Sequence, residues 1–468
     1  MFKQANTLLI LFMLPMFCLA QDGVEANLLG HWHDPSIPGS SFYDNRYNEV
    51  WGHYVNGREI GIIGSTQGTH FIDVTDPASP EEVAFVAGKF QGTSVVHRDY
   101  KTFGNYIYAV CDEGPSSLQI FDVSDLPDTV YTVYDSDALF VRAHNCWVDT
   151  SSQKFYLFAA GGGALGFTGL AVYDISEPLN PVFINKFNSI GGFGFGHVHD
   201  GFVRNDTAYL NCGNDGFCVA DFSNPASPTL LGTMTGYQGA GYNHAGWLSE
   251  DAQYYYLTDE THGSPVKTVD VSDFADISVV DTYNAESVQS QIPHNPIVAC
   301  DYLYVSYYYD GLQVYDISDP ENVTRALYYD TYDAPDGTSY KGAWGVYPFL
   351  PSGNILVSDM QTGLYVFEGV GDGCNGPSVA VQNPAQNDFE IYPQPASDFL
   401  TIAMNGSLED MHLQLVNSEG KTVWFQANLP ASDQVQLELP AGLPNGLYIL
   451  HLKGEKQMST HKLLIQRN

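Results

Sequence analysis

The strongest constraint on this chain is a motif that returns at nearly even intervals. Six segments read Asp, apolar, Ser or Thr, then an acidic residue or Asn: Asp73-Val74-Thr75-Asp76, Asp122-Val123-Ser124-Asp125, Asp174-Ile175-Ser176-Glu177, Asp221-Phe222-Ser223-Asn224, Asp270-Val271-Ser272-Asp273 and Asp316-Ile317-Ser318-Asp319. A degenerate seventh copy is Gly363-Leu364-Tyr365-Val366-Phe367-Glu368. From Asp73 to Glu368 the successive intervals are 49, 52, 47, 49, 46 and 52 residues. Such a period builds units that bury their apolar faces only against their neighbours, and this length suits a four-stranded propeller blade. The chain is accordingly expected to be all-β, with a seven-bladed β-propeller as its main body.

The motif reads as a strand that ends in a turn. Apolar pairs such as Phe71-Ile72, Ile120-Phe121, Val172-Tyr173 and Val314-Tyr315 fill a buried strand, and the Asp that follows can accept hydrogen bonds from backbone amides just ahead. Pro77, Pro178, Pro225 and Pro320 then stop the ladder. Calcium ligation is the competing reading of these aspartates, but a turn accounts for every copy without a metal. In the second repeat the four strands are expected at Ser94 to His97, Asn105 to Val110, Ser117 to Val123 and Thr129 to Tyr134. Asn27-Leu28-Leu29-Gly30-His31-Trp32 reads as an orphan fourth strand, like Thr229-Leu230-Leu231-Gly232, while the last repeat, Gly342 to Glu368, has only three. The N-terminus is therefore expected to complete the last blade and close the ring, which removes an exposed edge.

Composition agrees with strands and tight turns: aromatics are 13%, Gly 45 and charged residues only 15%. The formal net charge of -36 repels nucleic acid and anionic membranes, so neither is an expected partner, and it favours cations or basic partners. Lys3, the apolar run Leu8 to Phe17 and Ala20 before Gln21 have the layout of a cleaved secretory leader over residues 1–20. Cys18 follows Pro15, Met16 and Phe17, which lack the small residues a lipid-attachment site needs. No other stretch has the ~20 apolar residues of a membrane-spanning helix. Beyond the leader, Cys111, Cys146, Cys212, Cys218, Cys300 and Cys374 enter a compartment where disulfides persist. Cys212 and Cys218 flank an Asn-Gly-Asp turn that could bring their sulfurs together; zinc is the rival reading, but no C-x-x-C pair supports it.

The segments Leu118-Gln119-Ile120-Phe121-Asp122-Val123-Ser124-Asp125 and Leu312-Gln313-Val314-Tyr315-Asp316-Ile317-Ser318-Asp319-Pro320 resemble the LVIVD repeat. Their arrangement over about residues 25–370 is similar to the choice-of-anchor B family of bacterial surface proteins, which implies one propeller-like region with a variable C-terminal anchoring or sorting segment. The propeller is expected over residues 21–372, a linker over 373–388 and a last domain over 389–468. Ile391-Tyr392-Pro393-Gln394-Pro395-Ala396, Val416-Asn417-Ser418-Glu419-Gly420-Lys421, Leu443-Pro444-Asn445-Gly446-Leu447-Tyr448 and Lys462-Leu463-Leu464-Ile465 resemble the C-terminal sorting domain of the type IX secretion system, with Gln394 where that family usually has Asn. The resemblance implies a small β-sandwich read by that machinery, export through the periplasm, and a secreted or outer-surface-attached product. An ordinary adhesive sandwich is the alternative.

A second repeated position lies 22 to 30 residues before each Asp: Trp51, His97, His144, His197 with His199, His244, His294 and Trp344. The first strand of a blade borders the central channel, so these side chains are expected near one mouth, with Asp99, Asn145, Asp200, Asn243 and Asn295 close by. Such a ring could hold a divalent metal ion, since imidazole ligates zinc, copper or iron, or it could line a hydrated channel. His197 and His199 are the favoured metal pair, because a strand sends alternate residues to one face. Gly161 to Gly166 lacks the Gly-Lys-Ser/Thr of a phosphate loop, and neither Gly-x-Ser-x-Gly nor His-Glu-x-x-His occurs. Paired carboxylates stay open, because sequence does not give their separation. No catalytic residue is assigned. The expected function is an exported binding module for a surface protein, glycan or cation, with an extracellular metalloenzyme built on the histidine ring as the alternative.

Overall fold

The structure, a computed structural model, describes residues 23–285, 292–370 except 336 and 338, and, within 389–467, all but 394, 405–411, 417–421, 427–428, 430–431, 433, 441 and 454–457. The expected leader 1–20, the linker 373–388 and Cys374 lie outside these residues. The chain divides into two units, residues 1–380 and 381–468. No helix among the described residues is long and apolar enough to cross a membrane.

In the first unit each repeat folds as a short antiparallel sheet, and among the described residues seven such sheets follow one another. The first consists of Tyr47–Val55, Arg58–Ser65, Gly68–Asp73 and Glu81–Ala87. Its third strand, the one carrying the motif, is buried throughout until Asp73, which matches a core strand packed on both faces. The innermost strands are Tyr47–Val55, Arg98–Phe103, Arg142–Asp149, Asp200–Arg204, Asn243–Leu248, Pro296–Ala299 and Ala343–Tyr347. Each packs on the next, and Ala343–Tyr347 returns to Tyr47–Val55, so the sheets ring a channel as a β-propeller. Leu28–Trp32 pairs antiparallel with Gly363–Phe367 and supplies the fourth strand of the last sheet. Val24–Glu25 adds an unexpected fifth strand, parallel to Thr324–Tyr329.

One strand differs from its sequence reading. The inner strand of the second sheet is Arg98–Phe103, not Ser94 to His97. The apolar Val95-Val96 pair precedes the strand, and the strand that borders the channel carries Arg98, Asp99 and Lys101, all buried among polar partners.

The motif aspartates close turns as their chemistry suggests. The amides of Thr75, Ser124, Ser176, Ser223, Ser272 and Ser318 donate to Oδ1 of Asp73, Asp122, Asp174, Asp221, Asp270 and Asp316 at 2.7–2.9 Å. The hydrogen bond from Ser223 N holds the Asp221 carboxyl below its usual range, and Ser176 N does the same for Asp174. A carboxylate whose folded pKa is lowered gives stability that is present above the unfolded pKa and lost as pH falls through the folded one. Asp221→Ala should therefore cost about 0.5–1.5 kcal/mol at pH 7 and progressively less below pH ~4, measured by urea unfolding at both pH values.

The Leu-Leu-Gly of the outer strands also has a packing reason. A Cβ on Gly30 would stand 1.9 Å from Pro77 O, and one on Gly232 would stand 2.2 Å from Phe274 O, in the turn of the next sheet. Gly30→Ala must push two backbones apart and should destabilise the first unit by about 1–3 kcal/mol in the same unfolding assay, since overpacking costs this much.

Cysteine chemistry departs from expectation. Cys212 and Cys218, read as a bridging pair, are both buried free thiols, as are Cys111 and Cys146. The hairpin register is the reason: Cys218 stands opposite Leu210, while Cys212 N bonds Gly216 O, so the two lie diagonally, and the Cys212 thiol donates to Leu210 O at 3.6 Å. Cys300 is disulfide-bonded.

The second unit contains one sheet of Phe389–Tyr392, Phe399–Met404 and Gln434–Glu438, and another of Thr422–Gln426, His412–Val416, Gly446–Lys453 and Met458–Ile465. Leu400 and Ile402 of the first and Leu413, Leu415, Leu450 and Leu463 of the second share one buried core, as in a β-sandwich.

Candidate metal centre in the propeller channel

One mouth of the channel is lined by a closed circle of rings. His97, His144, His199, His244, His294 and Trp344, each from a different sheet, follow in that order with ring centroids 4.3, 4.1, 4.2, 4.5 and 4.8 Å apart, and Trp344 returns to His97 at 5.5 Å. In the first sheet the equivalent position is Asn48, whose Nδ2 donates to Val96 O at 3.1 Å. Trp51, which the spacing put here, lies three residues further on and lines a cavity at the other end of the channel. The cause is local: the strand registers shift at Asn48-Glu49, at His244 and at Trp344, and such bulges re-aim side chains that strict alternation would send elsewhere.

His197 and His199 also part company. His199 joins the ring, whereas His197 is only partly buried, meets the Tyr242 hydroxyl through Nε2 at 2.5 Å, and does not line the cavity. The favoured metal pair is thus split. His199 instead converges with His244 and Glu260, and one donor atom of each lies within 4.8 Å of the other two. Glu260 comes from the turn after Tyr254–Asp259, outside the repeated motif, so no spacing in the sequence marks it. Its Oε1 accepts a 2.6 Å hydrogen bond from the buried Tyr308 hydroxyl, which fixes the carboxylate's orientation.

These groups surround a cavity of about 360 Å³, into which Asp112 and Tyr340 also face. Burial pulls the imidazoles of His97, His199 and His244 well below the usual range, and that of His294 to about 3, so all four are neutral and have a lone pair to offer. His144 differs: burial pulls it down, but the Asp112 carboxylate, 2.8 Å from Nδ1, outweighs burial and raises it. Burial lifts Glu260 to about 6. His97 Nδ1 and His199 Nδ1 are buried without a hydrogen-bond partner, an arrangement that costs about 1–3 kcal/mol for each atom unless something else satisfies it.

The polar neighbours expected from the sequence divide between two places. Asp99, Asn145, Asp200 and Asn295 lie deeper in the channel, with Glu49 and Lys101. Lys101 Nζ bonds both oxygens of Asp99 at 2.8 and 3.0 Å, and Asn295 Nδ2 donates to Glu49 at 2.6 Å. Asn243 takes no part: it bonds Asn211 and Tyr237 inside the fifth sheet's surroundings.

A family model described as a secretion system C-terminal sorting domain matches residues 390–466, and the LVIVD repeat matches residues 196–235 and 297–331. The chain thus carries a type IX sorting domain and is exported, to the cell surface or into the medium. No curated protein matches it. Among solved structures it is similar to PorZ, an essential bacterial surface component of the type IX secretion system of Porphyromonas gingivalis, at 11% identity over 93% of this chain, with a TM-score of 0.46. The chain spans 61% of that protein's length. It is also similar to the Cps50 (Swd1) β-propeller domain of Myceliophthora thermophila, at 10% identity and a TM-score of 0.46 over 67% of this chain and 94% of that one.

Proposed function

We propose that this exported propeller is a binding module that takes one divalent transition-metal ion at its histidine mouth, through His199, His244 and Glu260. The observation that carries the reading is the convergence of two imidazoles and a carboxylate within 4.8 Å in a pocket where imidazole nitrogens lack protein partners. Nitrogen and carboxylate donors suit zinc, copper or iron, which bind them at about 2.0–2.2 Å, so small rotations draw the three groups onto one ion. The neutral imidazoles need lose no proton first. An extracellular metalloenzyme is the second reading, favoured by a cavity of about 360 Å³ that leaves room for a small substrate beside the ion.

Elemental analysis of the chain from residue 21 onward, purified without a histidine tag and desalted, tests the proposal. About one transition-metal ion per chain is expected, as for a site of this ligand number. A chain that holds none and takes up neither added Zn²⁺ nor Co²⁺ refutes it. Tyr308→Phe removes the bond that orients Glu260 and should weaken Zn²⁺ affinity by about tenfold in competition with a chromogenic chelator, the size of effect usual for an outer partner.

A further inference from the structure

The opposite mouth of the channel has a different chemistry. Trp51, Tyr347, Phe349, Trp247, Phe202 and Trp147 form a collar in which consecutive ring centroids lie 5.0, 5.4, 5.9, 4.9 and 4.8 Å apart. The gap between Trp147 and Trp51 is closed by Lys101, whose Nζ stands 5.8 and 4.7 Å from the two ring centroids. The collar surrounds a cavity of about 290 Å³. Behind it, Glu49, Asp99 and Asp200 face a space of only about 30 Å³.

We infer that this collar is a second binding site, independent of the metal centre, and that its ligand is a quaternary ammonium group. Charge complementarity selects the ligand. Three carboxyl groups share one ammonium, and Lys101 is bound through both oxygens to Asp99, so Glu49 and Asp200 are left without a cation of their own. Asp200 receives one hydrogen bond, from Gly201 N to Oδ1 at 2.7 Å. Burial drives the Glu49 carboxyl well above its usual range. Aromatic faces attract cations, most strongly those of Trp, and the seating of Lys101 between two of them displays that attraction inside this fold. A primary ammonium or an inorganic cation would forfeit hydrogen bonds to water among these rings. A quaternary one has no N–H to forfeit, fills the collar with methyl groups, and stops above a floor too narrow to admit it.

The test uses choline and its uncharged isostere 3,3-dimethylbutan-1-ol, added to the full exported chain at constant ionic strength. Three of the chain's six tryptophans belong to the collar, so intrinsic fluorescence reads occupancy directly. Choline should titrate to saturation and the isostere should not, with or without added Zn²⁺. Asp200→Asn and Trp247→Leu, each checked for a native thermal transition, should weaken choline binding about tenfold or more, the loss that removal of a desolvated cation contact produces. Equal binding of the isostere would make the collar a merely apolar pocket, and no saturable choline response, or unchanged affinity in either folded variant, would likewise overturn the proposal.

Discussion

Equilibrium dialysis of the double variant His199→Ala/His244→Ala against Zn²⁺ is expected to return only weak surface background, a fall in affinity of about 10³-fold or more. Loss of an outer partner alone costs about 10–100-fold, and these two residues supply two of the three converging donors. The variant also tests whether the ring is structural. The donors are buried without full partnership among protein groups, so truncating them removes polar atoms that the fold itself does not satisfy: His199 Nδ1 and His244 Nδ1 have no protein hydrogen-bond partner. Thermal stability of the metal-free variant should thus stay close to that of the metal-free parent, while the stabilisation that saturating Zn²⁺ gives the parent should vanish. If the variant retained Zn²⁺ with unchanged affinity, the ions would be binding elsewhere on this acidic surface. If it unfolded without any metal-dependent difference in the parent, the histidines would be lining and nothing more.

A chain beginning at residue 33 in place of residue 21 is expected to lose about 10 °C or more in melting temperature and to become sensitive to proteases. The missing segment contains Leu28–Trp32, the outer strand of the last sheet. Its loss uncovers one edge of Gly363–Phe367 and strips Trp32 from Tyr47 and His70, whose rings it meets at 5.7 and 5.2 Å. Leu28 and Trp32 are half-buried, so their loss costs about 1–2 kcal/mol each beside the lost strand pairing, and a large domain moves a few degrees per kcal/mol. The larger consequence is topological. The closing strand ties the start of the unit to its end, residues more than 330 positions apart, and its absence leaves a row of unpaired amides open to other chains. Differential scanning calorimetry with size-exclusion chromatography would register both effects, and an unchanged melting temperature would mean that the strand adds little.

Much of this was legible because duplication writes the same physics at regular intervals. The motif strands, the aspartate turns behind them, the orphan Leu28–Trp32 and the histidines at their recurring offset are all local or periodic, and a period can be read along the chain. What a period cannot carry is the meeting of residues from different repeats. Glu260, Tyr308 and Asp112 sit in turns that differ from repeat to repeat, and only ring closure aims them at the histidines. The step from Asn48 to Trp51 depends on a bulge, and the parting of His197 from His199 on one tyrosine hydroxyl, and neither leaves any mark in the pattern. The charge balance of the channel is decided the same way: Glu49 and Asn295 are 246 residues apart in sequence and 2.6 Å apart in space. Which strands form and in what order they repeat can be read along the chain, because pairing and turns are short-range. Which groups share the channel axis cannot, because closure of the whole ring sets it.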